Sequence, residues 1–264
     1  WWNGIWLNEA FATFMEMLAV DAWKKEWERW TNFGVSRAAA MGVDGLLASR
    51  PIEFPVREPK ECEAMFDLLT YEKGASVLRM LEQYLGPEVF REGVRRYLRE
   101  HPYANAETTD LWKALGAASG QPIPEVMDGW IFRGGYPLVT VEPDGTGVKL
   151  SQRRFLYLGD DAGDGAAGEP WRIPINLRAS VKGGWVDKRL LLDGPETRVA
   201  LPATPDWALA NAGGHGFYRV AFAPAMLRKL ARSVGRIAPI ERFNVVSDAF
   251  AVTQAGHMSA VDYL

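Results

Sequence analysis

One discontinuity constrains this chain more than any other feature. Up to Gly134-Gly135-Tyr136-Pro137 the apolar residues recur at helical spacing; beyond it they fall into short alternating runs separated by turns. A helix repeats every 3.6 residues and a strand every two, so no single regular element crosses such a switch. The pattern predicts an α+β, multidomain chain. Before the switch, Trp6 to Trp30 contains neither Pro nor Gly, and Leu7, Phe11, Phe14, Met15 and Leu18 keep a helical period. Residues 50–60 hold three prolines and read as extended loop. Helices are predicted from about Lys73 to Tyr84, from Glu88 to Arg99 behind Pro87, from a Thr108-Thr109-Asp110 cap to Gly120, and from Pro124 to Phe132. After the switch, runs at Leu138–Glu142, Val148–Tyr157, Trp171–Val181, Trp185–Leu192, Arg198–Leu201 and Phe217–Phe222 predict an antiparallel β-sandwich. Pro224 opens a second helical pattern, 225–234 and 240–254, with another helix starting near Ser259. The expected division is therefore 1–135 helical, 136–222 sandwich and 223–264 the start of a helical domain, and 264 residues suffice for two or three domains.

Composition narrows the function. With 30 Lys+Arg against 33 Asp+Glu, the net charge of −3 argues against a nucleic-acid or membrane-surface partner held by bulk charge. No run reaches the roughly 18 apolar residues of a membrane span. His101, His215 and His257 are far apart and Cys62 is alone, so neither a complete His/Cys metal site nor a disulfide can be written. A lone cysteine fits a reducing compartment, and the cytoplasm is the expected location. The chain opens on Trp1-Trp2 and closes at Leu264 inside a helical pattern. It is expected to be a piece of a longer protein, and any site in it a partial one.

Two segments could carry chemistry. In Asn8-Glu9-Ala10-Phe11-Ala12, Glu9 lies seven residues before Glu16, which puts both carboxylates on one helix face, two turns apart. Carboxylates on an otherwise apolar helix need a compensating metal ion or cation, unless the face is simply a solvated stripe. In Thr70-Tyr71-Glu72-Lys73-Gly74-Ala75, Tyr71 at a helix start could donate its hydroxyl to a developing oxyanion. Thr70 reads equally as a plain N-cap and Tyr71 as a half-buried aromatic.

Together these segments are more specific. Trp6-Leu7-Asn8-Glu9-Ala10-Phe11-Ala12 resembles the W-L-N-E-G-F-A segment of the zinc-dependent aminopeptidases typified by aminopeptidase N. Thr70 to Ala75 resembles the T/S-Y-x-K-G-A block of that family, and Arg50-Pro51-Ile52 its H/R-P-I loop. Gly216-Phe217-Tyr218-Arg219-Val220 resembles its G-Y-Y-R-V strand, and Ser247-Asp248-Ala249-Phe250 its D-D-A-F helix. The resemblance implies the helical C-terminal part of a thermolysin-like metalloprotease domain, then the sandwich, then the start of a helical domain. It implies Glu9 as the third ligand of one Zn2+, beside two histidines of an HExxH helix expected upstream of Trp1. It implies Tyr71 as the donor to the tetrahedral oxyanion and Glu16 as a carboxylate holding the site in shape, although a helix contact accounts for Glu16 equally well. Lys73 and Gly74 read as helix-packing and surface residues. The implied activity of the intact protein is hydrolysis of the amino-terminal residue from peptides. The HExxH general base and the G-x-M-E-N strand that binds the free amino terminus are absent, so the piece alone is expected to be inactive. A non-catalytic helical and β-sandwich scaffold is the rival reading.

Other features have blander readings. Gly159 to Glu169 lacks the spacing of an EF-hand and reads as a hairpin loop. Trp1, Trp2, Trp6, Trp23, Trp27 and Trp30 are expected in a core. Trp171, Trp185 and Trp207 are expected in the sandwich core or at domain interfaces rather than on a sugar-stacking platform. Arg91, Arg95, Arg96 and Arg99 with Glu92 and Glu100 read as a solvated helix face.

Overall fold

The computed structural model describes residues 2–157 and 169–264. Helix α1 (Ile5–Trp23) buries Trp6, Ala10, Phe14 and Met17 and is followed by α2 (Arg29–Asp44). The predicted run to Trp30 therefore breaks at Lys24. A short 3-10 turn, Lys25–Trp27, leads to Glu28 in the left-handed conformation (φ 45°), where the Asn32 side chain donates to the Trp27 carbonyl. No Gly or Pro marks this corner, which is why the sequence does not show it. Trp6 and Trp30 are core, whereas Trp2, Trp23 and Trp27 are exposed, so the expected tryptophan core holds only in part.

A short helix α3 (Pro59–Cys62) closes the loop after α2. One π-helical turn, Leu69–Lys73, then runs into α4 (Gly74–Leu85). Helices α5 (Pro87–Glu100), α6 (Thr108–Ser119) and α7 (Ile123–Ile131) complete the helical half. The cap of α6 is Glu107, in a reciprocal pair with Asp110, rather than Thr108. Thr108 is already engaged: its hydroxyl donates to Glu53 at 2.5 Å and accepts from the Trp6 indole at 3.2 Å.

The second half holds two sheets. β1 (Pro137–Asp144), β2 (Gly147–Arg154), β5 (Glu196–Val199) and β7 (Arg219–Phe222) form one, in the order β5-β2-β1-β7. β3 (Ile173–Val181), β4 (Gly184–Leu192) and β6 (Trp207–Leu209) form the other, in the order β4-β3-β6. Ile173, Ile175, Leu177 and Ala179 alternate into a core shared with Val139, Val141, Val148 and Leu150. The expected all-antiparallel arrangement needs one correction. β7 pairs with β1 in parallel, Leu138 opposite Arg219; the chain between them includes all three strands of the second sheet, and a parallel pair requires a long connection of this kind. β6 is a strand the sequence reading lacked. The three tryptophans do not share a platform: Trp171 and Trp207 are buried, and Trp185 lies at the surface beside Arg178 and Arg236. Apart from Glu169, the hairpin expected at 159–169 lies outside the described residues.

Helices α8 (Pro224–Arg232), α9 (Pro239–Gln254) and α10 (Ala260–Tyr263) end the chain. α9 packs on both α2 and β7, so it ties the last helices to the first ones. No helix among the described residues is long and apolar enough to cross a membrane.

Candidate active site

The site begins with the packing of α1. Its buried face is fixed by Trp6, whose indole donates to Glu53 at 2.7 Å and stacks on Trp112 with centroids 6.1 Å apart. One turn on, Ala10 meets Gly74 so closely that a Cβ on Gly74 would lie 2.5 Å from that of Ala10. This near-backbone contact sets the start of α4, and the π turn before it, directly against α1. Glu9 and Tyr71 are thereby brought together.

The Tyr71 hydroxyl lies beside the Glu9 carboxylate, and both line the same groove. Desolvation raises the phenol above its ordinary value, and the neighbouring carboxylates of Glu9 and Glu72 add to the shift. Thr13 donates to the Glu9 carbonyl at 2.9 Å. Glu9, Thr13, Glu16, Tyr71 and Glu72 line one open groove of about 580 Å³, with Phe33 and Ser36 of α2 on its other wall. Glu72 is a groove residue the sequence reading missed. Burial raises its carboxyl group, and the charge of Asp67 adds to the effect. Glu16 stands at the exposed rim, where it pairs with Arg29 at 3.6 Å.

Among the described residues no cluster of three or more His, Cys, Asp or Glu could hold a metal ion. Glu9 nevertheless fits as one member of a mixed donor set. Its carboxylate opens onto the groove, and no ion pair to it is present among the described residues. An oxygen donor with free lone pairs, facing open space beside a hydroxyl, is what a ligand from one wall of a divided site requires.

Lys73 corrects the sequence reading. It is fully buried, not a surface residue, and pairs at 2.7 Å with the equally buried Asp44 at the end of α2. Thr70 is likewise not a plain N-cap. The capping role falls to Asp67, whose Oδ1 accepts the N–H groups of Leu69 and Thr70, while Thr70 accepts from Arg50. Nothing in the residue types marks Lys73 as buried; only the partner, 29 positions earlier in the sequence, explains it.

The two remaining family-like segments also meet. Arg219 of β7 pairs with Asp248 of α9 at 3.0 Å, and Asp248 also accepts the Val220 N–H at 3.1 Å. Beside them Arg37 of α2 donates to Asn244 at 2.6 Å, and burial pulls its guanidinium down to about 10. Burial opposes the charge on Arg219 as well, but Asp248 holds it above its ordinary value. His215 packs edge-on against Trp30 nearby, pushed well below its usual value by burial and by Arg79 and Arg37.

Comparison with known proteins decides the family. The Peptidase family M1 domain matches residues 1–130, and the ERAP1-like C-terminal domain matches residues 207–264. The chain belongs to peptidase family M1, the aminopeptidase N family. This M1 chain is 36% identical to the tricorn protease-interacting factor F2 of Thermoplasma volcanium, over the whole chain and 32% of that relative. It is 36% identical to aminopeptidase M1 of Arabidopsis thaliana and 35% identical to the puromycin-sensitive aminopeptidase of Caenorhabditis elegans, covering 31% and 28% of them. The M1 chain thus spans about a third of the length of the curated relatives it matches.

Proposed function

We propose that this chain carries part of the active site of a zinc aminopeptidase, with Glu9 as one oxygen ligand of the metal and Tyr71 as the oxyanion donor. The single observation that carries the reading is the Glu9–Tyr71 pair on an open groove. The other ligands and the general base belong to residues outside these 264. When bound, the zinc polarises the scissile carbonyl and lowers the pKa of a water toward about 7. Tyr71 donates its proton in a hydrogen bond to the carbonyl oxygen as that oxygen gains charge. A phenol, with an ordinary pKa of about 10, is protonated and so able to donate through the neutral range. Glu16, paired with Arg29, orients the rim of the groove. The substrates are peptides with a free amino terminus. We assign residues 1–135 to the catalytic domain, 136–222 to a β-sandwich domain and 223–264 to the start of a helical domain. The one cysteine, Cys62, is free and buried, which fits a cytoplasmic location.

The test is Glu9→Gln in the full-length protein. Zinc affinity is expected to fall by at least about 100-fold, more than for loss of a residue that merely supports a ligand. Hydrolysis of an aminoacyl-anilide should disappear with the metal. Retention of stoichiometric zinc after dialysis would remove Glu9 from the ligand set.

A further inference from the structure

The π turn that carries Tyr71 is held at both ends by one short segment, residues 44–50. At its start, Arg50 donates to Asp67 at 2.6 Å and to Thr70 at 3.1 Å. At its end, Lys73 Nζ pairs with Asp44 Oδ2 at 2.7 Å and donates to the Gly135 carbonyl at 3.1 Å. The other oxygen of Asp44 accepts the Gly135 N–H at 2.9 Å and the Ser49 hydroxyl. Between these ties the backbone adopts the wide register, with Lys73 N–H bonded to the Leu68 carbonyl five residues back at 3.0 Å. A π turn is uncommon, inserts one extra residue into a helix and is frequent at functional sites. It rotates the preceding residues relative to an uninterrupted α-helix, so its register decides where Tyr71 points.

A buried ion pair is costly to desolvate and is weak support for stability by itself. Lys73 and Asp44 are both 0% exposed, and Lys73 lies two residues past Tyr71, on the opposite side of the turn. One side of the turn is anchored in the interior and the other faces the groove. We propose that the Lys73–Asp44 pair is a positioning device for Tyr71: it locks the π register that holds the hydroxyl at the Glu9 carboxylate. The pair touches no substrate and acts through the tyrosine. The inference rests on the reading of Tyr71 as the oxyanion donor.

Without the pair, the turn relaxes toward the α register and Tyr71 swings relative to Glu9. The decisive variant is Asp44→Asn/Lys73→Met in the full-length protein, which removes both charges and keeps an oxygen at position 44 for Gly135 and Ser49. Asp44→Asn alone is the milder companion, expected to show the same changes at smaller size. In metal-free protein carrying 3-fluorotyrosine, the Tyr71 resonance, identified through Tyr71→Phe, should shift or split in the double variant while those of Tyr84 and Tyr97 stay in place. In the zinc-loaded enzyme kcat should fall about 10- to 100-fold with KM within about twofold, the range expected when a catalytic group is misplaced by about 1 Å. In a Tyr71→Phe background the same change should alter kcat by less than about twofold. An unmoved Tyr71 resonance in the folded variants overturns the proposal, and so does an equal loss of kcat in the Tyr71→Phe background. A moved resonance in a protein without aminopeptidase activity keeps the positioning role and defeats the reading of the function.

Discussion

Two polar clusters lie on family-like segments of this chain, and they satisfy their charges in opposite ways. In the groove, Glu9, Glu16 and Glu72 face open space, and Tyr71 stands beside a carboxylate, Glu9, that has no ion-pair partner among the described residues. At the junction of α2, β7 and α9, Asp248 is surrounded by Arg219, the Val220 N–H and the nearby Arg37, and is 4% exposed. The sealed cluster spends the carboxylate of Asp248 on its own chain. The groove keeps capacity in reserve, and a site that acts on something else must do so. Sequence similarity alone gives both clusters equal weight; partner geometry separates them.

Four changes sharpen or break this contrast, and the largest concerns the sealed cluster. Asp248→Ala leaves Arg219 and Arg37 buried without their carboxylate and should cost about 3–5 kcal/mol in urea unfolding. A loss below about 1 kcal/mol would mean that the cluster is not sealed. Next, Tyr71→Phe in the full-length enzyme should lower kcat by about 10²–10³, equivalent to about 2.7–4 kcal/mol, with zinc content and unfolding midpoint unchanged. Turnover near that of the wild type would place Tyr71 outside the mechanism.

His215 gives a smaller and pH-dependent signal. Its folded pKa lies well below the unfolded value of about 6.5, so below that pH the unfolded chain binds a proton that the folded chain does not. Its contribution to stability is therefore complete above about pH 6.5 and is lost as pH falls, at about 1.4 kcal/mol per pH unit. His215→Gln should flatten that part of the curve of unfolding free energy against pH by this slope; an unchanged slope would show that the imidazole titrates freely. The smallest effect is Glu16→Gln. Its pair with Arg29 is exposed, so unfolding should change by less than about 1 kcal/mol. The same variant tests the rim role, since a purely structural contact would leave KM untouched.

Much of the helical half was legible in advance. The residues Glu9 and Glu16 declare their shared face by spacing, and Pro87 and Gly120 mark helix ends by the backbone angles they favour. The corner at Glu28 was not legible, because a left-handed non-glycine residue is held by its surroundings and has no residue-type signature. The cap at Glu107 was hidden for a related reason: Thr108 is the better capping residue by type, but Glu53 and Trp6 already engage its hydroxyl.

The sequence by itself determined the switch from helical to strand periodicity, the absence of enough histidine and cysteine for a metal site, and the family-like segments that carry Glu9 and Tyr71. Those are properties of residue type and local spacing, which are fixed before the chain folds. Only the tertiary structure decided that Tyr71 meets Glu9, that β7 runs parallel to β1, and that Lys73 is buried against Asp44. Each of these depends on partners far apart in the chain, and a side chain's burial and charge state follow from the partner it finds rather than from its own identity.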